Sequence, residues 1–309
     1  MAMRTDNFAE LLDTPLRRVF YREGVDAPME HQRWANVFNM SRNFEDDYEV
    51  SGLGAVPSKA EGGSVTFSDA VSGGTKRYQP TPYALGFVIT REMWDDDLHN
   101  VMRRMTQALR WSFNHLFDVE AYKIFNNATS TSAPYTGFNS EALLSTTHTI
   151  IGTGGTIANK PASDIDISYT GVQTAMLNFH NLTDRMGLPE FKVAKQAVVS
   201  GQDMFNAAEI FKNGAMAFGT ANNDRNFVVD GPDNNSMSSD VVFSRYLTDT
   251  DRWFLLSEKS KHSLNLAVRV RPEFDMDDDF YTMNVLARGY ARIQSGWSDW
   301  RGVYGSTGA

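Results

Sequence analysis

Residues 52–90 read GLGAVPSKAEGGSVTFSDAVSGGTKRYQPTPYALGFVIT, a glycine-punctuated stretch that ends in an apolar run. Polar and apolar residues alternate over Ser64–Ser68, which predicts a half-exposed strand, and Lys76–Gln79 is predicted to return beside it after a turn at Gly73-Gly74. A two-stranded ribbon is marginal in water unless something covers it. A loop that projects from a long rigid helix has little of its own chain to pack against. The sequence therefore favours a second copy of the protein as the covering surface, and so a self-assembling protein.

The apolar run Tyr83–Ile89 leads into one long predicted helix. Thr90 is a suitable N-cap, and Asp95–Asp97 place negative charge in the first turns, where it complements the helix dipole. No glycine or proline interrupts the chain between Thr90 and Pro134, so about 35 helical residues at about 1.5 Å each predict a helix of roughly 50 Å. Its apolar stripe has a period near 3.6 residues. The stripe comprises Trp94, Leu98, Val101, Met105, Leu109, Ser112, Leu116 and Ile124, widened by Met102, Phe113 and Phe117.

The segment before the ribbon is mixed in character. Apolar residues recur at roughly helical spacing, with Pro15 interrupting them: Phe8, Leu11, Leu12, Leu16, Val19 and Phe20. Trp34, Val37 and Phe38 form a second short apolar cluster. The pattern fits either a pair of short helices on the domain surface or an arm that reaches a neighbouring subunit.

The second half of the chain predicts a lobe and then a hairpin. Helix, strand and helix are indicated over Ser168–Leu182, Gln196–Val199 and Asp203–Phe211, which is typical of a compact α/β lobe. Strong alternation follows at Leu264, Leu266, Val268 and Val270, and again from Tyr281 to Ile293. These two strands, with an acidic turn over Pro272–Asp279, predict a long hairpin that packs along the helix.

Composition narrows the possible functions. The 309 residues are 41% hydrophobic and 22% charged, which is ordinary for a folded soluble protein. The absence of cysteine excludes disulfides, thiolate metal sites and cysteine nucleophiles. A net charge of −9 argues against a nucleic-acid-gripping protein, because such affinity rests on clustered Lys and Arg. No apolar run reaches the length of a membrane span and no signal peptide is recognisable, so we expect no membrane association and a cytoplasmic chain.

No catalytic or metal motif survives inspection. The glycine-rich stretch 151–161 lacks the glycine before Lys160 and the Ser or Thr after it that a phosphate loop needs. Asp275–Asp279 resembles the start of a calcium loop, but Phe280 stands where the glycine belongs and Leu286 where the bidentate carboxylate belongs. The six histidines show no paired metal spacing and no Gly-x-Ser-x-Gly elbow occurs. We therefore expect no enzyme activity and no cofactor.

Four stretches, taken in order along the chain, resemble the major capsid (major head) protein of tailed bacteriophages. The fold of this family was first described for the Hong Kong phage and is shared by encapsulins. The stretches are Gly52–Gly54 with Lys59–Gly63, Leu85–Met93 with Asp96–Leu98, Tyr246–Leu256, and Ser295–Gly302. The resemblance covers nearly the whole chain and rests on their order, because none of the four is a catalytic motif.

The resemblance implies an α+β Hong Kong phage-type capsid fold. Its parts would be an N-terminal arm (1–50), an extended loop (51–86), a peripheral domain with a long spine helix and β-strands (87–135 and 262–294), and an α/β axial domain (136–261 and 295–309). The spine helix core would include Trp94, Leu98, Val101, Met105, Leu109 and Leu116. The extended loop would lie over a neighbouring subunit, with inter-subunit contacts from Lys59, Glu61, Val65, Phe67, Lys76, Arg77 and Tyr78. In some relatives a loop lysine is crosslinked to an asparagine of the neighbour; for Lys59 and Lys76 we favour the simpler role of keeping an exposed ribbon soluble.

The resemblance also implies partners and a location. Copies of the chain would assemble as hexameric and pentameric capsomers into the icosahedral virion capsid around packaged double-stranded DNA, without sequence-specific DNA binding. Some relatives carry a long internal scaffold before the loop; only about 50 residues precede it here, so we expect a separate scaffolding protein, with a portal and a decoration protein as further partners. Assembly would take place in the host cytoplasm.

Two other functions remain open from the sequence. An encapsulin-like nanocompartment would use the same shell around a protein cargo. A soluble carbohydrate- or nucleotide-handling enzyme would need a convergent polar pocket, which the residue pattern does not indicate.

Overall fold

The computed structural model describes residues 16–21, 29–70, 72–96, 101–150, 155–212, 226–229, 240–279 and 281–309. The strands are β1 (Asn36–Asn39), β2 (Glu45–Val50), β3 (Ser72–Tyr78), β4 (Thr81–Ile89), β5 (His148–Thr149), β6 (Thr156–Ile157), β7 (Ala194–Ser200), β8 (Asp240–Ser244), β9 (Trp253–Ser257), β10 (Leu264–Asp278), β11 (Val285–Trp297) and β12 (Val303–Ser306). The helices are α1 (residues 16–21), α2 (Arg91–Asp95), α3 (Val101–Asn126), α4 (Tyr169–His180) and α5 (Met204–Lys212), with 3-10 turns at Glu30–Arg33 and Lys259–Lys261.

The first sheet is built around the predicted C-terminal hairpin and has the order β1-β10-β11-β4. β10, β11 and β4 pair antiparallel, whereas β1 runs parallel to β10. The expected acidic turn is shorter than predicted, because β10 continues through Pro272 to Asp278. Register shifts on either side of Val270 accommodate the proline, which cannot donate to the ladder. Asp279 organises the actual turn by accepting hydrogen bonds from the Tyr281 amide and the Thr282 hydroxyl.

The long helix is shorter than the sequence predicts. α2 begins after Thr90, whose hydroxyl accepts a hydrogen bond from the Met93 amide as an N-cap does. It ends at Asp95, and Asp96 leaves the helical conformation with φ −105° and ψ 11°. α3 has 26 residues, about 39 Å at 1.5 Å per residue. Consecutive aspartates disfavour a helix interior because their side chains compete for backbone hydrogen bonds; the prediction of one continuous helix was therefore wrong.

The buried face of α3 is rotated relative to the predicted stripe. Leu109, Phe113 and Phe117 form its centre, and Phe113 packs so closely on β11 that only a glycine, Gly289, fits opposite its ring. Met105 was predicted for the core but is 43% exposed, because it lies about 120° around the helix from Phe117, at the edge of the buried face. The face consists of Thr106, Leu109, Phe113, Asn114, Phe117, Asp118, Glu120, Ala121, Tyr122, Ile124 and Phe125. Leu116 and Val101 are half-buried; Leu98 and the Trp94 side chain lie outside the described residues.

The second sheet has the order β12-β9-β7-β8 and is buried on both faces. β7 and β8 are parallel, and the other pairs are antiparallel. α4 and α5 cover one face, where they pack on Trp253, Leu255 and Val199. The predicted helix–strand–helix lobe is present, and Ser168 caps α4 by accepting from the Gly171 amide.

One core joins the two sheets. The opposite face of the second sheet presents Phe254, Leu256 and Val198 to the same apolar cluster that α3 and the first sheet form. The rings of Phe125 on α3 and Phe254 on β9 lie 4.6 Å apart. The structure therefore has one continuous interior with a sheet at each end.

The N-terminal segment contributes more regular structure than predicted. β1 lies in the first sheet and β2 pairs with β3, so residues 36–50 are neither short helices nor a free arm. Leu16 and Phe20 are buried in the shared core. The predicted apolar positions Phe8, Leu11 and Leu12 lie outside the described residues.

Candidate assembly surface

The chain between β2 and β3 leaves the body of the protein as a loop, residues 51–71, which we call the extended loop. Its described residues form no strand, so the prediction of a strand over Ser64–Ser68 was wrong. The one turn is at its tip, where Gly62 has a φ of +77° and the Gly63 amide donates to the Ala60 carbonyl at 3.0 Å. A half-buried strand needs a surface to bury one face against, and the described residues of this chain offer none to Ser64–Ser68.

The extended loop exposes apolar side chains. Val56 and Phe67 are 95% and 92% exposed. Leu53 and Val65 are also exposed, and so are Lys59 and Glu61. Phenylalanine and valine carry no polar group that would favour water, and exposed apolar patches are typical of surfaces that bind a partner.

The ribbon formed by β2 and β3 begins where the sequence did not predict it. Gly73-Gly74 is not a turn but lies within β3. A side chain at Gly74 would overlap the Phe138 carbonyl oxygen, and one at Gly73 would meet Glu49 and Arg185. Glycine in a strand often marks close approach of another segment. These two glycines let β3 press against the body of the protein.

Lys76 does not face a neighbouring subunit. Its side chain is only 5% exposed, and its Nζ donates to the carbonyls of Pro134 and of Thr136, the latter at 2.6 Å. Burial lowers the pKa of Lys76 to about 8. The predicted role of keeping an exposed ribbon soluble is therefore wrong for Lys76, because the ammonium group is enclosed by its own chain. The same enclosure speaks against the crosslink that was the alternative role for Lys76.

Tyr78 is likewise an internal residue. Its ring meets Phe38 edge-on at 5.5 Å, and its hydroxyl hydrogen-bonds with Ser298 Oγ at 2.8 Å and accepts from Asn265 Nδ2 at 3.1 Å. The predicted inter-subunit contact at Tyr78 was wrong, since this side chain anchors the ribbon to the first sheet. Arg77 points the other way and pairs with Asp46 across the ribbon at 2.7 and 2.8 Å, which lowers the pKa of the Asp46 carboxyl.

A second apolar surface lies between α3 and β4. It is a groove whose walls include Leu85, Phe113, Leu116 and Val119. His115 lies in the same groove and stacks near Trp111, which is exposed. We call this the α3–β4 groove. With the extended loop it gives the described chain two apolar surfaces, one projecting and one recessed.

Two buried histidine clusters were missed by the sequence analysis. His31 Nδ1 lies 2.7 Å from Asp118 Oδ1 and ties the first 3-10 turn to α3. His148 lies 2.8 Å from Glu141 Oε2 and stacks on Trp300 with ring centroids 4.0 Å apart. Burial lowers the pKa of His148, although Glu141 favours its protonation. The apolar period along α3 does not indicate Asp118, because a buried carboxylate does not fit a pattern of apolar residues.

These clusters hold separate segments of the chain together. Within the described part of the chain, no group of three or more His, Cys, Asp or Glu side chains is placed to hold a metal ion. Asp275, from the run that resembles a calcium loop, pairs with Arg288 at 2.7 Å and Arg17 at 3.4 Å, which lowers the pKa of its carboxyl. None of the helices in the described ranges is both long and apolar enough to cross a bilayer.

Comparison with known proteins agrees with this geometry. A family model described as phage capsid protein matches residues 73–306. The fold is similar to the capsid of the native GTA particle (TM-score 0.57, 11% identity, covering 93% of both chains). It is also similar to the capsid of Myoviridae phage XM1 (TM-score 0.56, 11% identity, 93% and 94% covered) and to a structure from Mycobacterium phage Adephagia (TM-score 0.55, 11% identity, 100% and 99% covered). A search of curated protein sequences finds no match.

The family match spans most of the chain, and the structural similarity extends over both sheets and α3. The predicted α+β class with a spine helix beside a long hairpin is confirmed. The chain therefore belongs to the phage capsid protein family, has the Hong Kong phage-type capsid fold, and is a structural protein of the icosahedral virion shell.

Proposed function

We propose that this protein is the major capsid subunit of a tailed bacteriophage and assembles as hexamers and pentamers into the head shell around double-stranded DNA. The observation that carries the proposal is the extended loop, which exposes Val56 and Phe67 almost completely. A subunit that stayed alone would leave these side chains in water. Head-to-tail contacts that close into rings would cover the same loop on every copy.

The two sheets suggest the division of the subunit. We assign the first sheet with α3 to the peripheral domain and the second sheet with α4 and α5 to the axial domain that surrounds the symmetry axes. β1 and β4 are the two edge strands of the first sheet. We therefore assign residues 36–39 and 81–86 to the peripheral domain, and the extended loop is reduced to 51–71.

The α3–β4 groove is the surface that best fits the loop of a neighbour. Leu85 on β4 is exposed in the single chain, although it lines this apolar groove. Burying an exposed phenylalanine against such residues stabilises a contact by about 1.5–3 kcal/mol. Lys59 and Glu61 sit beside the tip and would set the orientation of the loop by charge.

The remaining partners follow from the same proposal. A net charge of −9 suits a container whose wall does not grip the genome, so confinement would hold the DNA. We propose a separate scaffolding protein to guide closure, a portal at one vertex and a decoration protein on the outer surface. The shell would assemble in the host cytoplasm and would need neither catalysis nor a cofactor.

Sedimentation and electron microscopy of the expressed chain test the proposal, with a matched pair of variants. Phe67→Glu adds a charge and removes the most exposed aromatic side chain of the loop, whereas Ser68→Glu adds the same charge next to it and removes no apolar group. We expect shells from the parent and from Ser68→Glu, and only small oligomers from Phe67→Glu. A parent chain that stays monomeric under all assembly conditions, or Phe67→Glu shells indistinguishable from the parent, would contradict the proposal.

A further inference from the structure

The loop end of the β2–β3 ribbon is held to the body by a buried cluster of charged side chains. Glu49 on β2 forms an ion pair with Arg185, and its other oxygen lies 3.8 Å from Arg301. The side chains of Glu49, Arg185 and Arg301 are 13%, 8% and 7% exposed. These charges are therefore shielded from solvent, and each depends on its partners for compensation.

The cluster is balanced only when the ribbon is in place. Arg301 also pairs with Asp299 at 3.0 Å and approaches Glu190 at 3.8 Å. Lys192 pairs with the same two carboxylates, at 2.8 Å to Glu190 and 3.8 Å to Asp299. Three cations thus face three carboxylates, of which Glu49 alone comes from the ribbon. All the others belong to two segments beside the second sheet, which are tied together by the Arg301 Nε hydrogen bond to the Thr183 carbonyl at 3.1 Å.

The other end of the ribbon is fixed differently. Tyr78 is buried against the first sheet, and the Lys76 ammonium is enclosed by two backbone carbonyls. Between Lys76 and Gly73 the strand spans three residues, about 10 Å at roughly 3.4 Å per residue. The core end is therefore anchored by packing and by the Lys76 hydrogen bonds, whereas at the loop end the charge pairs add to the close contact between Gly74 and Phe138.

We propose that Glu49, Arg185 and Arg301 form an ionic latch that sets the direction of the extended loop, and that the ribbon pivots about Lys76 when the latch opens. A closed latch would present the loop in one orientation before any partner arrives. An open latch would let it swing, and a pivot of about 20° on a lever of about 10 Å moves the loop end by about 3.5 Å.

The chain contains no cysteine, so pairs of nitroxide spin labels can be placed without removing native thiols. Ser72→Cys with His180→Cys reports the loop end of the ribbon against α4, and Gln79→Cys with His180→Cys reports the core end. All three side chains are exposed. Distances are measured by pulsed electron spin resonance on the unassembled fraction, so the result does not depend on whether the chain closes into shells.

Two variants open the latch by different means. Glu49→Gln removes the one charge that the ribbon contributes to the cluster and keeps nearly the same side-chain shape. Gly73→Ala keeps every charge but places a methyl group 2.4 Å from Arg185 Nη1. Asp46→Asn is the matched control, because it breaks an ion pair that lies within the ribbon and leaves the body untouched. Circular dichroism melting verifies that each variant is folded, and Gly73→Ala carries the test if Glu49→Gln does not fold.

We expect the Ser72–His180 distance distribution to shift or broaden by about 3.5 Å in Glu49→Gln and Gly73→Ala and to match the parent in Asp46→Asn. The Gln79–His180 distribution should stay unchanged in all three. An unchanged Ser72–His180 distribution in the latch variants, or equal broadening at both ends, would overturn the proposal.

Discussion

Two nested deletions separate the part of the ribbon that serves assembly from the part that serves folding. The shorter one replaces residues 55–70 with a short flexible linker, and the longer one replaces residues 55–79. Every residue from 55 to 70 is exposed, so the shorter deletion removes no core contact. Shortening a loop of about 20 residues to about 6 lowers the entropic cost of closing the loop, which stabilises the fold by about 1 kcal/mol.

The longer deletion also removes Tyr78, Lys76 and the whole of β3. Losing a buried aromatic side chain costs about 3–5 kcal/mol. The hydroxyl of Ser298 and the carbonyls of Pro134 and Thr136 then lose buried partners, at about 1–3 kcal/mol for each group left unsatisfied. The total, on the order of 6–14 kcal/mol, is comparable to the entire stability of a typical domain.

Urea denaturation followed by circular dichroism measures both deletions, and sedimentation measures their assembly. We expect the shorter deletion to be a folded subunit that forms no stable shell, and the longer deletion to be unfolded or nearly so. If the longer deletion keeps the stability of the parent, the internal roles of Tyr78 and Lys76 are wrong. If the shorter deletion still gives normal shells, the extended loop is not the assembly surface.

Three further predictions follow from single contacts. Gly289→Ala should lower the free energy of unfolding by about 1–3 kcal/mol in urea titrations, because the new methyl would lie 2.2 Å from the Phe113 ring; Gly54→Ala, with ordinary contacts, is the control. Burial, with Lys259 and Lys192 nearby, lowers the pKa of His262 to about 4. The unfolded chain then binds a proton between about pH 6.5 and 4 that the folded chain does not, so the free energy of unfolding should fall as the pH drops through this window. In His262→Asn about 3 kcal/mol of that fall should be absent; parallel pH profiles of parent and variant would contradict it. Chelator should leave the melting temperature unchanged, and a large drop would reveal a metal that the described residues do not account for.

The sequence predicted best where one face of an element is apolar and the other polar. The alternation at Leu264–Val270 located β10 and β11 because a sheet with a covered face requires a period of two. The exposed loop side chains Val65 and Phe67 were found for the opposite reason, since no neighbouring pattern could cover them. On α3, two apolar stripes lie side by side, and periodicity alone could not tell that the one through Phe113 faces the sheet.

The errors share a different cause, which is contact between residues far apart in sequence. Gly73-Gly74 has the composition of a turn, and only the approach of Phe138 explains why both positions lack a side chain within a strand. Lys76 belongs to the residue type that is least often buried, and its enclosure depends on two carbonyls about 60 residues away. The Glu49 cluster likewise combines residues from three separate segments. Local sequence patterns carry no information about contacts between residues that are far apart in the sequence.

The continuous interior shared by the two sheets has a consequence for how a shell of these subunits could change size. Domains that move against each other need an interface that can slide or a hinge between separate cores. Here β11 passes into β12 within five residues, 298–302, and Phe125 and Phe254 interlock across the boundary. Rotating one sheet against the other would expose this packing, at about 25 cal/mol for every Å² of apolar surface uncovered. We therefore expect each subunit to behave as a rigid tile, with expansion or flattening of the shell taken up at the seams between tiles and in the loops that cross them.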